Sequence, residues 1–207
     1  MNPQYLRNKV NELLNKTEGT KVIWVSGGVD SMVLLDSVKR RKDIEVVHFH
    51  HGDNSNKEFR DAAQTLVEKF CSDFNIVCQV VKNTSDKISE TDMRNFRNSH
   101  IEEGKTVVSA HHADDLLETR LISLIKGKNL ESLEVNSMKL KPLEAFTKKE
   151  IYEYAQKNDV PFVEDPTNKE SDNLRNYIRN EMIPNLEKFH PNFQVNFARN
   201  LSKITKC

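Results

Sequence analysis

Val22-Ile23-Trp24-Val25-Ser26-Gly27-Gly28-Val29-Asp30-Ser31-Met32-Val33-Leu34-Leu35 is the stretch from which the fold can be read. Its four leading apolar residues suit a strand buried on both faces. The pattern breaks on Ser-Gly-Gly and resumes with Val33, Leu34 and Val38 spaced to share a helix face. A strand, a glycine turn and a helix start leave unpaired backbone N–H groups at the positive end of a helix dipole, and phosphate binds such places. Gly27 and Gly28 let the backbone approach an anion closely, while Ser26 and Ser31 add hydroxyl donors. Asp30 is the odd member. A carboxylate among phosphate-binding groups repels the ligand unless a divalent cation such as Mg2+ bridges the two. No Gly-Lys-Ser/Thr follows, so this is not the kinase-type loop whose lysine reaches the terminal phosphates.

Working outward, Leu6, Val10, Leu13 and Leu14 predict an amphipathic helix over about residues 4–16. Ile44–Phe49, Ile76–Val81, Thr106–Ala110 and Met138–Leu143 read as four further strands. Between them lie helices ending near Arg41, spanning Phe59–Phe74, carrying Arg94 and Arg97, and spanning Leu116–Lys126. This alternation predicts an α/β fold, a Rossmann-like five-stranded parallel sheet with helices on both faces. Thr147-Lys148-Lys149-Glu150 is a capping box ahead of Ile151, Tyr154 and Ala155. Pro161 and Pro166 bracket a non-helical link. Asn173–Ile183 and Asn192–Ile204 read as two closing helices separated by Pro184 and Pro191. The expected division is an α/β domain over residues 1–145 and a small C-terminal helical appendage over 146–207.

Composition narrows the function classes. A chain of 207 residues with 37% hydrophobic and 30% charged residues reads as a polar globular protein. No apolar run approaches a membrane span, and the first residues lack the apolar segment of a signal peptide, so a cytoplasmic protein without a membrane partner is expected. Cys71, Cys78 and Cys207 are odd in number and not at zinc-ligand spacing, which favours reduced thiols. The formal net charge is zero, yet residues 120–149 hold seven Lys/Arg against three Glu, a local surplus compatible with a nucleic-acid face, although for any single lysine a solvated helix face is the plainer account.

In an open parallel sheet, ligands collect beyond the carboxyl ends of the strands. The loops expected there are Ser26–Ser31, His48–Asn54, the segment before Glu90, and His111–Asp115. Asp114 or Asp115 can complete a Mg2+ site with Asp30, clamping a polyphosphate. Plainer readings compete: acids in a helix's first turn gain about 0.3–1 kcal/mol from its dipole. His111 or His112 is equally a structural histidine, and Arg94 or Arg97 a partner of Glu90 or Asp92. Beside the glycine loop, the chemical reading is preferred.

Ser-Gly-Gly-x-Asp-Ser after an apolar strand resembles the pyrophosphate loop of the ATP pyrophosphatases, which split ATP between its α- and β-phosphates. The resemblance continues through His48-Phe-His-His-Gly52, Glu90-Thr-Asp-Met-Arg94-Asn-Phe-Arg97 and Ala110-His-His-Ala-Asp-Asp115-Leu-Leu-Glu-Thr119. Pro142-Leu143, Glu164-Asp165-Pro-Thr-Asn168, Arg175-Asn-Tyr-Ile-Arg179 and Ile183-Pro184-x-Leu186 follow in order. Together they resemble the N-terminal catalytic region of the tRNA(Ile)-lysidine synthetase family. That resemblance implies ATP and Mg2+ as cofactors, and free L-lysine and tRNA(Ile) with a CAU anticodon as partners. ATP would adenylate the C2 oxygen of the first anticodon cytidine, and the lysine ε-amine would then displace AMP.

By residue, the resemblance implies Ser26, Gly27, Gly28, Asp30, Ser31 and His48 around the nucleotide, with Asp30 and Asp115 on the metal. Asp115, His111 or Glu118 would hold or deprotonate the incoming amine. Arg94, Arg97, Lys141, Arg175 and Arg179 would contact tRNA. Departures from the family pattern fall at His50 and Asn54, in place of Asn and Arg, at Asn129 and Ser132, in place of Gly, and at Lys141, in place of Arg. A tRNA thiolase of the same superfamily would carry Cys-x-x-Cys, which is absent from these 207 residues. An amide-forming synthetase would bring a glutaminase or ammonia supply, which nothing in these residues resembles. A catalytically idle nucleotide- or RNA-binding module would have lost the acidic pair facing the glycine loop, and Asp30 and Asp115 are both present.

Overall fold

The parity of apolar residues along each strand decides which face of the sheet they line. Ile23, Ile44, Val46 and Val108 join one core with Leu6, Val10, Met32, Leu35, Val67, Phe70, Ile151 and Tyr154. Their neighbours Val22, Trp24, Val47, Phe49 and Val107 face the other way and pack with Val81, Phe96 and Ile101. A sheet apolar on both faces needs helices on both, and the computed structural model has them. It describes residues 1–50, 56–83, 90–128, 139–164 and 174–197.

The strands are β1 Lys21–Trp24, β2 Ile44–His50, β3 Val77–Lys82, β4 Thr106–Val108 and β5 Lys139–Leu140. They form one sheet in the order β3-β2-β1-β4-β5, and every pairing is parallel. The expected five-stranded parallel α/β sheet is what the chain forms. Its helices are α1 Pro3–Leu14, α2 Val29–Val38, α3 Lys57–Asp73, α4 Glu90–Asn98, α5 Ala113–Ile125 and α6 Lys148–Lys157. β1 lies between β2 and β4, so the direction of strand addition reverses there, and a crevice opens at the carboxyl ends of β1 and β4. The glycine loop leaves one of these ends and the His111–Asp115 segment the other.

The expected capping box forms at α6: Thr147 N–H donates to Glu150 Oε2 at 2.9 Å, and Glu150 N–H donates to Thr147 Oγ1 at 3.3 Å. α6 buries Ile151, Tyr154 and Ala155 in the same core as α1 and α2, so that core runs past residue 145. The terminal helices instead form a cluster of their own, Ile178 and Ile183 against Leu117 of α5.

Pro184 does not separate two helices. α7 Leu174–Tyr177 runs through a π-helical turn, Ile178–Met182, straight into α8 Ile183–Phe189. The Ile183 N–H bonds to Ile178 O, one residue further back than in an α-helix. A proline lacks the N–H for its own bond and crowds the carbonyl four residues back, and a widened turn relieves both problems. The strand expected over Met138–Leu143 is only Lys139–Leu140 among the described residues. Asn54, Asn129, Ser132, Met138, Asp165 through Asn168, and the last expected helix beyond 197 lie outside the described residues.

Candidate active site

Gly27 carries the turn after β1. Its φ is +89°, and a Cβ there would stand 2.9 Å from the Cβ of Ala63 on α3, so both conformation and space demand glycine. Its carbonyl accepts from the Val163 N–H at 3.0 Å, which brings the link after α6 against the loop. Gly27→Ala is expected to destabilise the protein by about 1–3 kcal/mol and to weaken nucleotide binding with it, a thermal melt and a titration being the checks. Inside the loop, Ser31 Oγ donates to Gly28 O at 2.9 Å, accepts from Ser26 N–H at 3.1 Å and lies 3.1 Å from Ser26 Oγ. Ser31 is buried, so its hydroxyl shapes the loop from within, whereas Ser26 is exposed at the surface. His48 is buried behind the loop, and its Nδ1 donates to Val25 O at 2.8 Å; burial pushes its pKa down.

Asp30 sits in the first turn of α2, and Asp114 and Asp115 in the first turn of α5. His112 lies between them. Its Nε2 is 3.7 Å from Asp30 Oδ1 and 3.4 Å from Asp115 Oδ2, and its Nδ1 is 3.2 Å from Asp114 Oδ2. Burial alone would depress the His112 pKa, but Asp114, Asp115 and Asp30 together raise it. Asp115 also accepts from the His112 backbone N–H at 3.0 Å, which locks the start of α5.

Lys148 was not expected here. Its Nζ lies 2.7 Å from both oxygens of Asp30. The sequence signal around it was absorbed by the capping box, which says where α6 begins but not what its first side chain reaches.

Asp30, which already carries an ammonium, and Asp115, turned toward the same imidazole, offer hard carboxylate oxygens of the kind Mg2+ takes. No group of three His, Cys, Asp or Glu among the described residues forms a closed metal cage. Mg2+ commonly takes one or two carboxylates and fills its octahedron with phosphate oxygens and water.

Glu118, one helical turn beyond Asp115 on α5, is fully buried. Arg179 grips it with two bonds, Nε to Oε1 at 2.6 Å and Nη2 to Oε2 at 2.9 Å, and lies 3.7 Å from Asp115 Oδ1. Arg175 stands 3.9 Å from Glu118 as well. The two arginines expected to contact tRNA thus turn toward one internal carboxylate, although each side chain stays 40% exposed.

A pocket of about 70 Å³ opens beside Asp115, lined by His111, Leu116, Thr119, Arg120, Lys141 and Glu144. His111 Nδ1 is 2.9 Å from Ser109 Oγ. Loss of hydration lowers the His111 pKa, Asp115 opposes, and Lys141, Arg97 and Lys139 push the same way as desolvation. Lys139 adds to this cationic rim: its Nζ lies 3.9 Å from the Trp24 ring centre and donates to Asn98 Oδ1 at 2.7 Å. Burial, then Arg97, Arg94 and Lys141, push its pKa down to about 8. Arg94 and Arg97 lie on α4 at this rim, Arg94 exposed and Arg97 half-buried.

Comparison with known proteins adds to this geometry. Residues 2–186 match the PP-loop domain family. The chain is 34% identical over 198 residues to a tRNA(Ile)-lysidine synthase of Bdellovibrio bacteriovorus, matching 89% of this chain and 63% of that protein. A tRNA(Ile)-lysidine synthase of Haemophilus ducreyi is 32% identical, with 87% of this chain and 45% of that protein matched. The chain therefore spans roughly half to under two thirds of the length of these relatives. The fold is that of a U34-tRNA thiolase from Methanococcus maripaludis, at TM-score 0.73 and 19% identity over 98% of this chain and 79% of that one. An NH3-dependent NAD synthetase from Campylobacter jejuni matches at TM-score 0.56 and 18% identity, over 97% of this chain and 93% of that one.

Proposed function

This chain belongs to the PP-loop domain family, and from that premise we propose that it catalyses ATP-dependent formation of lysidine in tRNA(Ile). The glycine loop binds the polyphosphate of ATP through backbone amides at the start of α2. Asp30 and Asp115 hold Mg2+, which, when bound, supplies positive charge to the polyphosphate and to the leaving pyrophosphate. The α-phosphorus is left open to the C2 oxygen of the first anticodon cytidine, and the ε-amine of free lysine then displaces AMP.

One observation carries the reading: Asp30 and Asp115, from two different strand ends, come together beside the glycine loop, 3.7 and 3.4 Å from one nitrogen, His112 Nε2. Asp115 marks the lysine side of the site. Glu118, expected to hold or deprotonate the amine, is fully buried and paired with Arg179, so it backs that wall instead of meeting the amine. The amine must be unprotonated to attack, and His111 and Asp115 are the nearby groups able to accept its proton. Arg94, Arg97 and Lys141 line the rim where the anticodon backbone would lie. Arg175 and Arg179 contribute there only through the part of each side chain left exposed.

The test is purified protein with Mg-ATP, labelled lysine and a tRNA(Ile) transcript bearing CAU. Equimolar pyrophosphate, AMP and RNA-bound lysine are expected. ADP and inorganic phosphate would overturn attack at the α-phosphorus. ATP binding without transfer of any amino acid to any tRNA would leave a nucleotide-binding module. Transfer of sulfur or ammonia in place of lysine would assign another reaction of the superfamily.

A further inference from the structure

Lys148 is the first residue of α6, and its backbone is fixed while its side chain is not. Its N–H donates to Asp114 Oδ2 at 2.6 Å, and the Thr147–Glu150 box sets the turn it occupies. Beyond the Cα runs a four-carbon stem ending in a compact charge with three donors, a group that changes partners by rotating its own torsions. That ammonium now lies 2.7 Å from each Asp30 oxygen and 5.3 Å from the Tyr152 ring centre, with the side chain 37% exposed.

Mg2+ binds carboxylate oxygen at about 2.0–2.1 Å and demands octahedral geometry. Lys148 now spans both oxygens of Asp30, so a Mg2+ taking either one must displace the ammonium from it, and charge repulsion between the two cations favours its leaving the carboxylate. A displaced ammonium moves to the nearest uncompensated anion. Because Asp30 belongs to the first turn of α2, a polyphosphate on the amides of that turn comes within reach of the Lys148 stem.

We propose that Lys148 is a tethered counter-ion: it holds Asp30 until a metal–nucleotide complex arrives, then passes its ammonium to the phosphate chain. The second half rests on the glycine loop being a polyphosphate site. Lys148 is in this sense a positioning residue that couples metal entry to nucleotide entry, since the nucleotide offers its ammonium somewhere else to go.

Two direct binding measurements test this without turnover. Mn2+ is titrated into nucleotide-free wild type, Lys148→Met and Lys148→Gln, with free ion followed by electron paramagnetic resonance. Magnesium pyrophosphate binding is measured on the same proteins by calorimetry. Both variants are expected to bind Mn2+ roughly fivefold more tightly, the equivalent of removing a competing half-exposed ion pair. They are expected to bind magnesium pyrophosphate about tenfold more weakly, having lost a charge-assisted bond. Lys148→Gln keeps a polar side chain of similar length, so one misfolded variant does not decide the matter.

Unchanged Mn2+ affinity in both variants, with binding still abolished by Asp30→Asn, overturns the counter-ion role. Tighter Mn2+ with unaltered pyrophosphate affinity overturns the transfer. Wild-type protein that binds no pyrophosphate overturns the loop reading and the transfer with it, while the Mn2+ comparison still decides whether Lys148 guards Asp30.

Discussion

Asp30→Asn is expected to lower pyrophosphate release by on the order of a thousandfold, the effect of losing roughly 4 kcal/mol of charge stabilisation on the leaving group. Asparagine keeps the shape of the side chain but is a poor ligand for a divalent ion, so the change removes charge with little change in volume. The fold should not notice. Asp30 and Lys148 form a partly exposed pair, at 28% and 37%, and such pairs contribute about 0–1 kcal/mol. For a chain of this size the melting temperature should fall by no more than about 4 °C. ATP binding should also survive, since Lys148 is released from its carboxylate and adds a positive charge beside the phosphate loop. The expected signature is therefore a collapse in turnover with ATP affinity nearly kept. Steady-state kinetics, nucleotide titration and a melt on one preparation read all three. Turnover within threefold of wild type would remove Asp30 from the mechanism.

The parts of this site that were legible in the sequence are those encoded locally. An apolar run, two glycines and an acid at the start of a helix lie within ten residues, and their geometry follows from backbone chemistry. The doubled parity of Val22, Ile23 and Trp24 likewise announces a two-faced sheet. What was not legible depends on residues far apart meeting in space. Lys148 reaches Asp30 across 118 positions, and nothing in a Thr-Lys-Lys-Glu capping box says which way its first lysine points. Arg175 and Arg179 share a face by spacing, but spacing does not say that the opposite surface is a buried glutamate some 60 residues earlier. Pro184 is instructive in the other direction. The rule that proline ends a helix assumes α-helical geometry before it, and the π-helical turn at Ile178–Met182 removes that assumption.

The same buried glutamate gives the largest expected effect on stability. Arg179→Ala should destabilise the protein by about 3 kcal/mol, whereas Glu118→Gln should cost about 1–1.5 kcal/mol, although both break the same two bonds. The asymmetry comes from where each charge goes when its partner is lost. The arginines are 40% exposed and return to water when Glu118 is neutralised, leaving an amide that still accepts and donates. Glu118 is fully buried next to the Leu117, Ile178 and Ile183 cluster and has no such exit. Stripped of Arg179, its carboxylate still has Arg175, at 3.9 Å, to turn to among the described residues. That neighbour keeps the cost toward the lower end of the roughly 3–5 kcal/mol typical of an orphaned buried charge. Relief should be local as well, by undocking α7 and α8 from α5, so hydrogen exchange across residues 174–189 should speed up before the sheet is affected. Adding Glu118→Gln to Arg179→Ala should then recover part of the loss, because the orphaned charge is gone. Urea denaturation of the two single variants and the double variant measures this cycle. A Glu118→Gln cost equal to or above that of Arg179→Ala, or a double variant no better than Arg179→Ala, would show that lost packing, and not an uncompensated carboxylate, ties the terminal helices to α5.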